Sequence, residues 1–161
     1  MMGRLGRWWR SKGHGIHSPL AFRLVTGVLR DHGCAWYGYG RLCGDYERML
    51  FRVACEFDPR CVTVPEGTRL TPPEREAFRA ARSTVRFSKS LPGHEAEPFI
   101  FLAADPETLA LPRRGVVFVR RCSGRSLLGP SDRGICLTDG RMALLVMRPD
   151  LTPQTFEVNF S

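Results

Sequence analysis

Pro98-Phe-Ile-Phe-Leu-Ala103, followed along the chain by Gly115-Val-Val-Phe-Val119, sets the class of fold. Each stretch is a short, continuous apolar run rather than an alternation of apolar and polar residues. Runs of this length are typical of buried strands and too short for most helices. The two stretches therefore predict two buried strands in the middle of the chain.

Strand signals continue towards the C-terminus. The segments from Ile135 to Leu137 and from Met142 to Met147 flank Asp139-Gly140, a dipeptide suited to a tight hairpin turn. They predict two antiparallel strands. After a turn-prone segment, the alternation from Thr155 to Phe160 predicts a last, edge strand.

Towards the N-terminus the pattern becomes helical. Ser18 is a good N-cap and Pro19 suits the first helical position, so a helix is expected from there to a stop at Gly33. Its apolar residues fall on one face at helical spacing: Phe22, Val25, Val28 and Leu29. A second helix is expected from about Asp45 to Glu56.

The region between that second helix and the apolar runs combines strands with one more helix. Thr71-Pro-Pro-Glu74 is a capping-box pattern, which predicts a helix from Thr71 through about Arg82. Cys61 to Val64 and Thr84 to Ser88 are strand candidates on either side of it. Together these elements predict a mixed α/β sheet in one domain, residues 18–161, preceded by a basic arm, residues 1–17.

The opening of the chain resembles a known family. Gly13-His-Gly-Ile-His-Ser-Pro-Leu-Ala-Phe22 is similar to the Gly-His-Gly-x-His-Ser-Pro-Phe-x-Phe segment of a bacterial group of class I S-adenosylmethionine-dependent methyltransferases. The similarity resumes at Leu50-Phe-Arg-Val53 with Phe57 and Pro59, at Gly140 to Arg148, and at Phe156 to Phe160. The resemblance implies a Rossmann-like, methyltransferase-type sheet with N-terminal helices and an antiparallel C-terminal hairpin.

The cofactor loop of that family is missing. Its first strand ends in a glycine-rich turn, whereas this chain offers only Val62-Thr-Val-Pro-Glu-Gly-Thr68. The segment matches either the family's first strand and loop or its second strand, whose terminal acid holds the ribose hydroxyls. Under the second match, Glu66 is the ribose ligand, and the family's first strand and glycine loop have been deleted from this chain. The chain after Asp58 is also too short for a complete sheet at roughly 30 residues per crossover unit.

These departures predict an incomplete site and a pseudoenzyme with weak or no methyl transfer. S-adenosylmethionine is the cofactor if one is bound, and the resemblance gives as its first contacts Glu66, Gly67, Thr68 and Asp105. Both acids follow predicted strands, near the ends where open α/β sheets place ligands. No catalytic residue is assigned, because no serine or cysteine is linked to a histidine in a triad-like pattern. The histidines and cysteines match no metal-site spacing.

Charge supports a second hypothesis from another class. The chain has 24 basic and 16 acidic residues, a formal net charge of +8. Arginines beside aromatics contact phosphates and stack on bases. A small nucleic-acid-binding module is therefore the alternative function. The competing interpretation of the same residues is a solvated basic face. Its contacts would be Arg4, Arg7, Trp8, Trp9, Arg10, Arg113, Arg114, Arg120, Arg121 and Arg125.

A third hypothesis is a protein-interaction subunit or homodimer, because missing elements would leave apolar strands in need of cover. No stretch approaches the roughly 20 apolar residues of a membrane-spanning helix. The basic N-terminus lacks the apolar core of a signal peptide, so a cytoplasmic protein is expected. Its six scattered cysteines are then expected to be free thiols.

Overall fold

A computed structural model describes Gly13, residues 15–30, Leu42 and residues 44–91, 97–102, 110–122 and 127–160. Its helices are α1, Pro19–Arg23, which continues as a π-helix over Leu24–Leu29, then α2, Asp45–Phe57, and α3, Pro72–Ala81. Its strands are β1, Cys61–Thr63; β2, Arg86–Ser88; β3, Phe99–Leu102; β4, Gly115–Val119; β5, Gly134–Thr138; β6, Ala143–Met147; and β7, Gln154–Glu157.

All seven strands form one sheet in the order β2-β1-β3-β4-β6-β5-β7. The first four strands in this order are parallel to one another. Strand β6 is antiparallel to both β4 and β5, and β7 runs parallel to β5. The expected mixed α/β sheet and C-terminal hairpin are therefore confirmed. The last strand is an edge strand as expected, but it covers Gln154–Glu157 rather than Thr155 to Phe160.

The order of the strands reverses direction at β1. From β1 the chain moves outward through α3 to β2, and then crosses back over β1 to form β3 on its other side. The carboxyl ends of β1, β2, β3 and β4 consequently lie along one edge of the sheet. In open α/β sheets, ligands bind at this edge, near the point where the order reverses.

The first helix differs from the expectation in its second half. Ser18 caps it as expected, its hydroxyl accepting a hydrogen bond from the Ala21 amide at 3.3 Å. From Leu24 it widens to a π-helix that ends at Leu29, and Gly33 lies outside the described residues. Val25, Val28 and Leu29 are nevertheless all buried in one core, as their spacing predicts. The prediction that Phe22 shares an apolar face with these residues is wrong, because its side chain is 46% exposed and lies over Gly13.

The two faces of the sheet are covered differently. One face packs against residues of α1, α2 and α3 and includes Val62, Phe101 and Phe118. The other face includes Ile100, Val117 and Leu145. Among the described residues, its cover comes from segments outside helices and strands: Leu111, Cys122, Leu127 and Leu128. Apolar strands are thus buried on both faces, as the continuous apolar runs indicate.

Within the described residues, no helix is both long and apolar enough to span a membrane. The cytoplasmic location stays a prediction. Most of the expected basic arm, residues 1–17, lies outside the described part of the chain. The four cysteines described there, Cys55, Cys61, Cys122 and Cys136, are all free thiols, as expected.

Candidate functional site

A cleft of about 830 Å³ opens where β1 and β2 end. Its walls are the loop after β1, residues 64–70, the first turn of α3, and the end of β2 with the residue after it, residues 87–89. Glu66, Gly67 and Thr68, three of the four predicted cofactor contacts, line this cleft. The fourth, Asp105, lies outside the described residues.

The loop after β1 is shaped by a tight turn. The Thr68 amide donates a hydrogen bond to the Pro65 carbonyl at 3.0 Å, and Gly67 between them has φ +81°. A positive φ at this position of a turn favours glycine. The turn leaves Glu66 exposed, and in the described part of the chain its carboxylate has no hydrogen-bond or ion-pair partner. A free carboxylate at this place can accept hydrogen bonds from ligand hydroxyls.

Three cations share the cleft with this carboxylate. Arg69 and Lys89 are exposed on its walls. The Arg75 guanidinium lies over the Phe87 ring, with its central carbon 4.6 Å from the ring centroid. Among the described residues none of these three cations forms an ion pair. The described lining of the cleft therefore carries more positive than negative charge.

The N-terminus of α3 borders the cleft but has few free amides. The capping box predicted from the sequence is present: the Glu74 amide donates to the Thr71 hydroxyl at 3.4 Å, and the Thr71 amide donates to the Glu74 carboxylate at 2.7 Å. Pro72 and Pro73 have no N–H to offer. The Arg75 amide donates to the Thr71 carbonyl. An anion in the cleft would be bound by side chains rather than by the end of this helix.

A buried polar cluster lies next to the cleft and joins α2, α3 and β4. Glu74 is 2% exposed, and Arg120 Nη1 donates to its two oxygens at 2.9 and 3.0 Å. The Tyr46 hydroxyl donates to the same carboxylate at 2.9 Å. Burial pushes the Glu74 pKa upward, but hydrogen bonds from Thr71, Arg120 and Tyr46 together hold it below its ordinary value. Burial first, and then the Glu74 charge, raise the Tyr46 pKa above its usual value.

The four predicted nucleic-acid contacts that the structure describes do not form one surface. Arg113 and Arg114 precede β4 and Arg121 follows it, at the opposite end of the strand, while Arg120 is bound to buried Glu74. Arg114 forms an exposed ion pair with Glu97 at 3.8 Å. The remaining predicted contacts lie outside the described residues: Arg4, Arg7, Trp8, Trp9, Arg10 and Arg125. Nucleic-acid binding through this set stays a prediction.

Sequence reasoning did not single out Arg75, Phe87 or Lys89. A positional signal for Lys89 was present, because it follows a strand that the sequence predicted. Carboxyl ends of neighbouring parallel strands meet at one edge, so Lys89 after β2 lies near Glu66 after β1. No comparable signal marked Arg75, whose approach to Phe87 depends on how α3 packs against β2. In the described residues there is no group of three or more side chains that could hold a metal ion.

Comparison of the chain with protein-family models, curated proteins and solved structures finds no match. The chemistry of the cleft therefore follows from its own residues. Glu66 can accept hydrogen bonds from hydroxyl groups, Arg69 and Lys89 can attract an anion, and Arg75 can stack on a flat ring.

Proposed function

We propose that this chain is a methyltransferase-like protein that retains a nucleoside-binding cleft and has lost efficient methyl transfer. The observation that carries the proposal is the cleft after β1, in which the free carboxylate of Glu66 follows a parallel strand at the ligand-binding edge of the sheet. The resemblance of the sequence implies that an acid at the end of the second strand holds ribose hydroxyls. Glu66 fits that role.

The pairing of β1 with β3 supports an incomplete sheet. In a doubly wound sheet the first strand lies between the second and the fourth, so its deletion brings those two together. Here Val62 of β1 pairs directly with Phe99 of β3. If the third strand of the family had been deleted instead of the first, the remaining strands would have this same order. The turn after β1, with its single glycine and exposed acid, favours assigning β1 as the second strand.

Two features support the loss of methyl transfer. No glycine-rich loop follows β1, the strand beside the point where the order reverses. At the end of β4, the Arg120 guanidinium is bound to buried Glu74. This charged side chain is therefore not available to a ligand. The described residues that line the cleft belong to the loop after β1, the first turn of α3, and the end of β2 with the residue after it. Binding of a nucleoside without a positioned methyl acceptor is the function that this arrangement supports best.

The first test is calorimetric titration of the full chain with S-adenosylhomocysteine and S-adenosylmethionine, repeated on Glu66→Gln. We expect saturable binding that weakens about tenfold or more in the variant, because hydrogen bonds to a charged group are lost. Glu76→Gln is the matched control, since Glu76 lies on α3 and does not line the cleft.

Two results would overturn the proposal. One is the absence of binding by a folded sample. The other is an equal loss of affinity in Glu66→Gln and Glu76→Gln, which would place the ligand elsewhere. Efficient methyl transfer to any acceptor would overturn the second half of the proposal, the loss of activity.

A further inference from the structure

The family's cofactor would leave part of the positive charge of the cleft unmatched. Among the described residues that line it, Arg69, Arg75 and Lys89 stand against one carboxylate, that of Glu66. S-adenosylmethionine brings a positive sulfonium, and S-adenosylhomocysteine has no net charge near neutral pH. Neither ligand would neutralise the excess of cations. A ligand that carries negative charge beside its ribose would do so.

The three cations of the cleft differ in how available they are to an anion. Arg69 follows Glu66 and Gly67 in the loop after β1, and Lys89 stands across the cleft, just beyond β2. Both are exposed and without an ion-pair partner among the described residues. Arg75 is only partly exposed and its guanidinium covers the Phe87 ring. Arg69 and Lys89 are thus the cations free to bind an anion.

Arg75 suits a different role. The Arg75 guanidinium lies over the Phe87 ring, and nucleic-acid bases stack on guanidinium planes. The contact with Phe87 orders the side chain before a ligand arrives, which lowers the entropic cost of stacking. The chemistry of a base, a ribose and an anion is therefore present in one cleft.

We infer that the ligand of this cleft is a nucleoside phosphate, with its ribose hydroxyls on Glu66 and its phosphate bound by Arg69 and Lys89. This inference rests on the proposed function and names its ligand class. Because the amides at the start of α3 are capped or absent, the phosphate is bound by exposed side chains alone. The phosphate contribution to affinity is consequently sensitive to salt.

The test compares adenosine, adenosine diphosphate, inorganic pyrophosphate and an adenine oligoribonucleotide by calorimetric titration of the full chain. We expect the diphosphate to bind about tenfold tighter than adenosine at low salt, and the difference to shrink in about 0.5 M salt. Arg69→Gln and Lys89→Gln should each weaken binding of the diphosphate more than binding of adenosine, so that the advantage of the diphosphate shrinks. Arg79→Gln is the control, because Arg79 is exposed on α3 but does not line the cleft.

Each contrary outcome identifies which statement fails. Equal affinity for adenosine and its diphosphate overturns the phosphate inference and leaves the proposed function standing. Pyrophosphate that binds as tightly as the diphosphate, with no adenosine binding, overturns the nucleoside function and with it this inference. An adenine oligoribonucleotide that binds far more tightly than the diphosphate overturns the mononucleotide ligand in favour of nucleic acid. No binding of any of these probes overturns both statements.

Discussion

Glu74 is the residue through which α3 is joined to α2 and β4. Its carboxylate accepts hydrogen bonds from Thr71, Tyr46 and Arg120 while its side chain is almost completely buried. Burying such a pair is not by itself stabilising, because both charges lose their hydration. Removing one partner, however, leaves the other charge without compensation. The cluster is therefore a place where a small chemical change has a large effect.

We predict that Glu74→Gln lowers the free energy of unfolding by about 3 kcal/mol near neutral pH, because Arg120 then lacks its counter-charge. Urea unfolding of the two proteins measures this difference. Glu76→Gln, on the same helix and outside the cluster, should change stability by no more than about 0.5 kcal/mol. A loss below about 1 kcal/mol for Glu74→Gln would show that the cluster contributes little.

Glu74 should also make the free energy of unfolding depend on pH. Its pKa is lower in the folded protein than in the unfolded chain, so the folded state is favoured wherever the unfolded carboxyl would be ionised. This stabilisation is present above the unfolded value of about 4.3 and is lost as the pH falls through the folded value. Unfolding of the natural chain and of Glu74→Gln, compared from neutral pH down to about pH 3, should therefore show converging stabilities. A difference that stays constant would contradict this linkage.

Two buried threonines offer a matched comparison. In the described structure Thr63 Oγ1 has no hydrogen-bond partner, whereas Thr138 Oγ1 donates to the Met142 carbonyl at 2.8 Å and accepts from the Gly140 amide at 3.0 Å. We predict that Thr63→Val raises the free energy of unfolding by about 1 kcal/mol, because it removes an unsatisfied buried hydroxyl. Thr138→Val should lower it by about 1 to 3 kcal/mol. Chemical denaturation of both variants tests this, and a change of the same sign in both would refute it.

Among the elements, β4 depends on the glycine at its start. Gly115 has φ +133°, and a Cβ built there would lie 2.5 Å from the Pro98 carbonyl oxygen. We predict that Gly115→Ala lowers the free energy of unfolding by about 3 kcal/mol through backbone strain and overpacking. Gly27→Ala is the control, because Gly27 is helical, exposed and open around its Cα, and should stay within about 1 kcal/mol. Thermal unfolding compares the two, and similar losses would contradict the close approach.

Elements fixed by local chemistry could be predicted from the sequence. The Thr71 to Glu74 capping box gave the start of α3, and the run from Gly115 to Val119 gave the bounds of β4. The Asp139-Gly140 turn gave the hairpin, whose Met142 and Arg141 amides both donate to Asp139 Oδ1 at 2.7 Å. Each of these signals acts within a few residues of the chain.

Features that depend on distant residues could not be predicted in this way. The π-helix at Leu24–Leu29 has no sequence signature that distinguishes it from an α-helix with the same apolar residues, and it is tied to α2 by buried Arg52, which donates to the Val28 and Leu29 carbonyls. The same distinction between local and distant signals applies to the residues of the candidate site. Glu66 was found from its place after a strand, whereas Arg75 on Phe87 is a contact between separate elements.

Across the whole molecule, the sheet is covered asymmetrically. Three helices lie on one face, while the described cover of the other consists of irregular segments. The hypothesis of a protein partner began from the expectation of apolar strands without cover. Yet the residues of the second face are no more than 7% exposed within the chain itself. The second face is therefore as much a core as the first.

Two adjacent leucines of β6 allow the packing of the two sheet faces to be compared within one strand. Leu144 and Leu145 are both fully buried, Leu144 on the helix-covered face and Leu145 on the other. We predict that Leu144→Ala and Leu145→Ala each lower the free energy of unfolding by about 2 to 5 kcal/mol, because each leaves a cavity among packed neighbours. Denaturant unfolding measures both values. A loss below about 1 kcal/mol confined to Leu145→Ala would mean that the irregular segments cover this face only loosely, and that the sheet relies on a second molecule to close it.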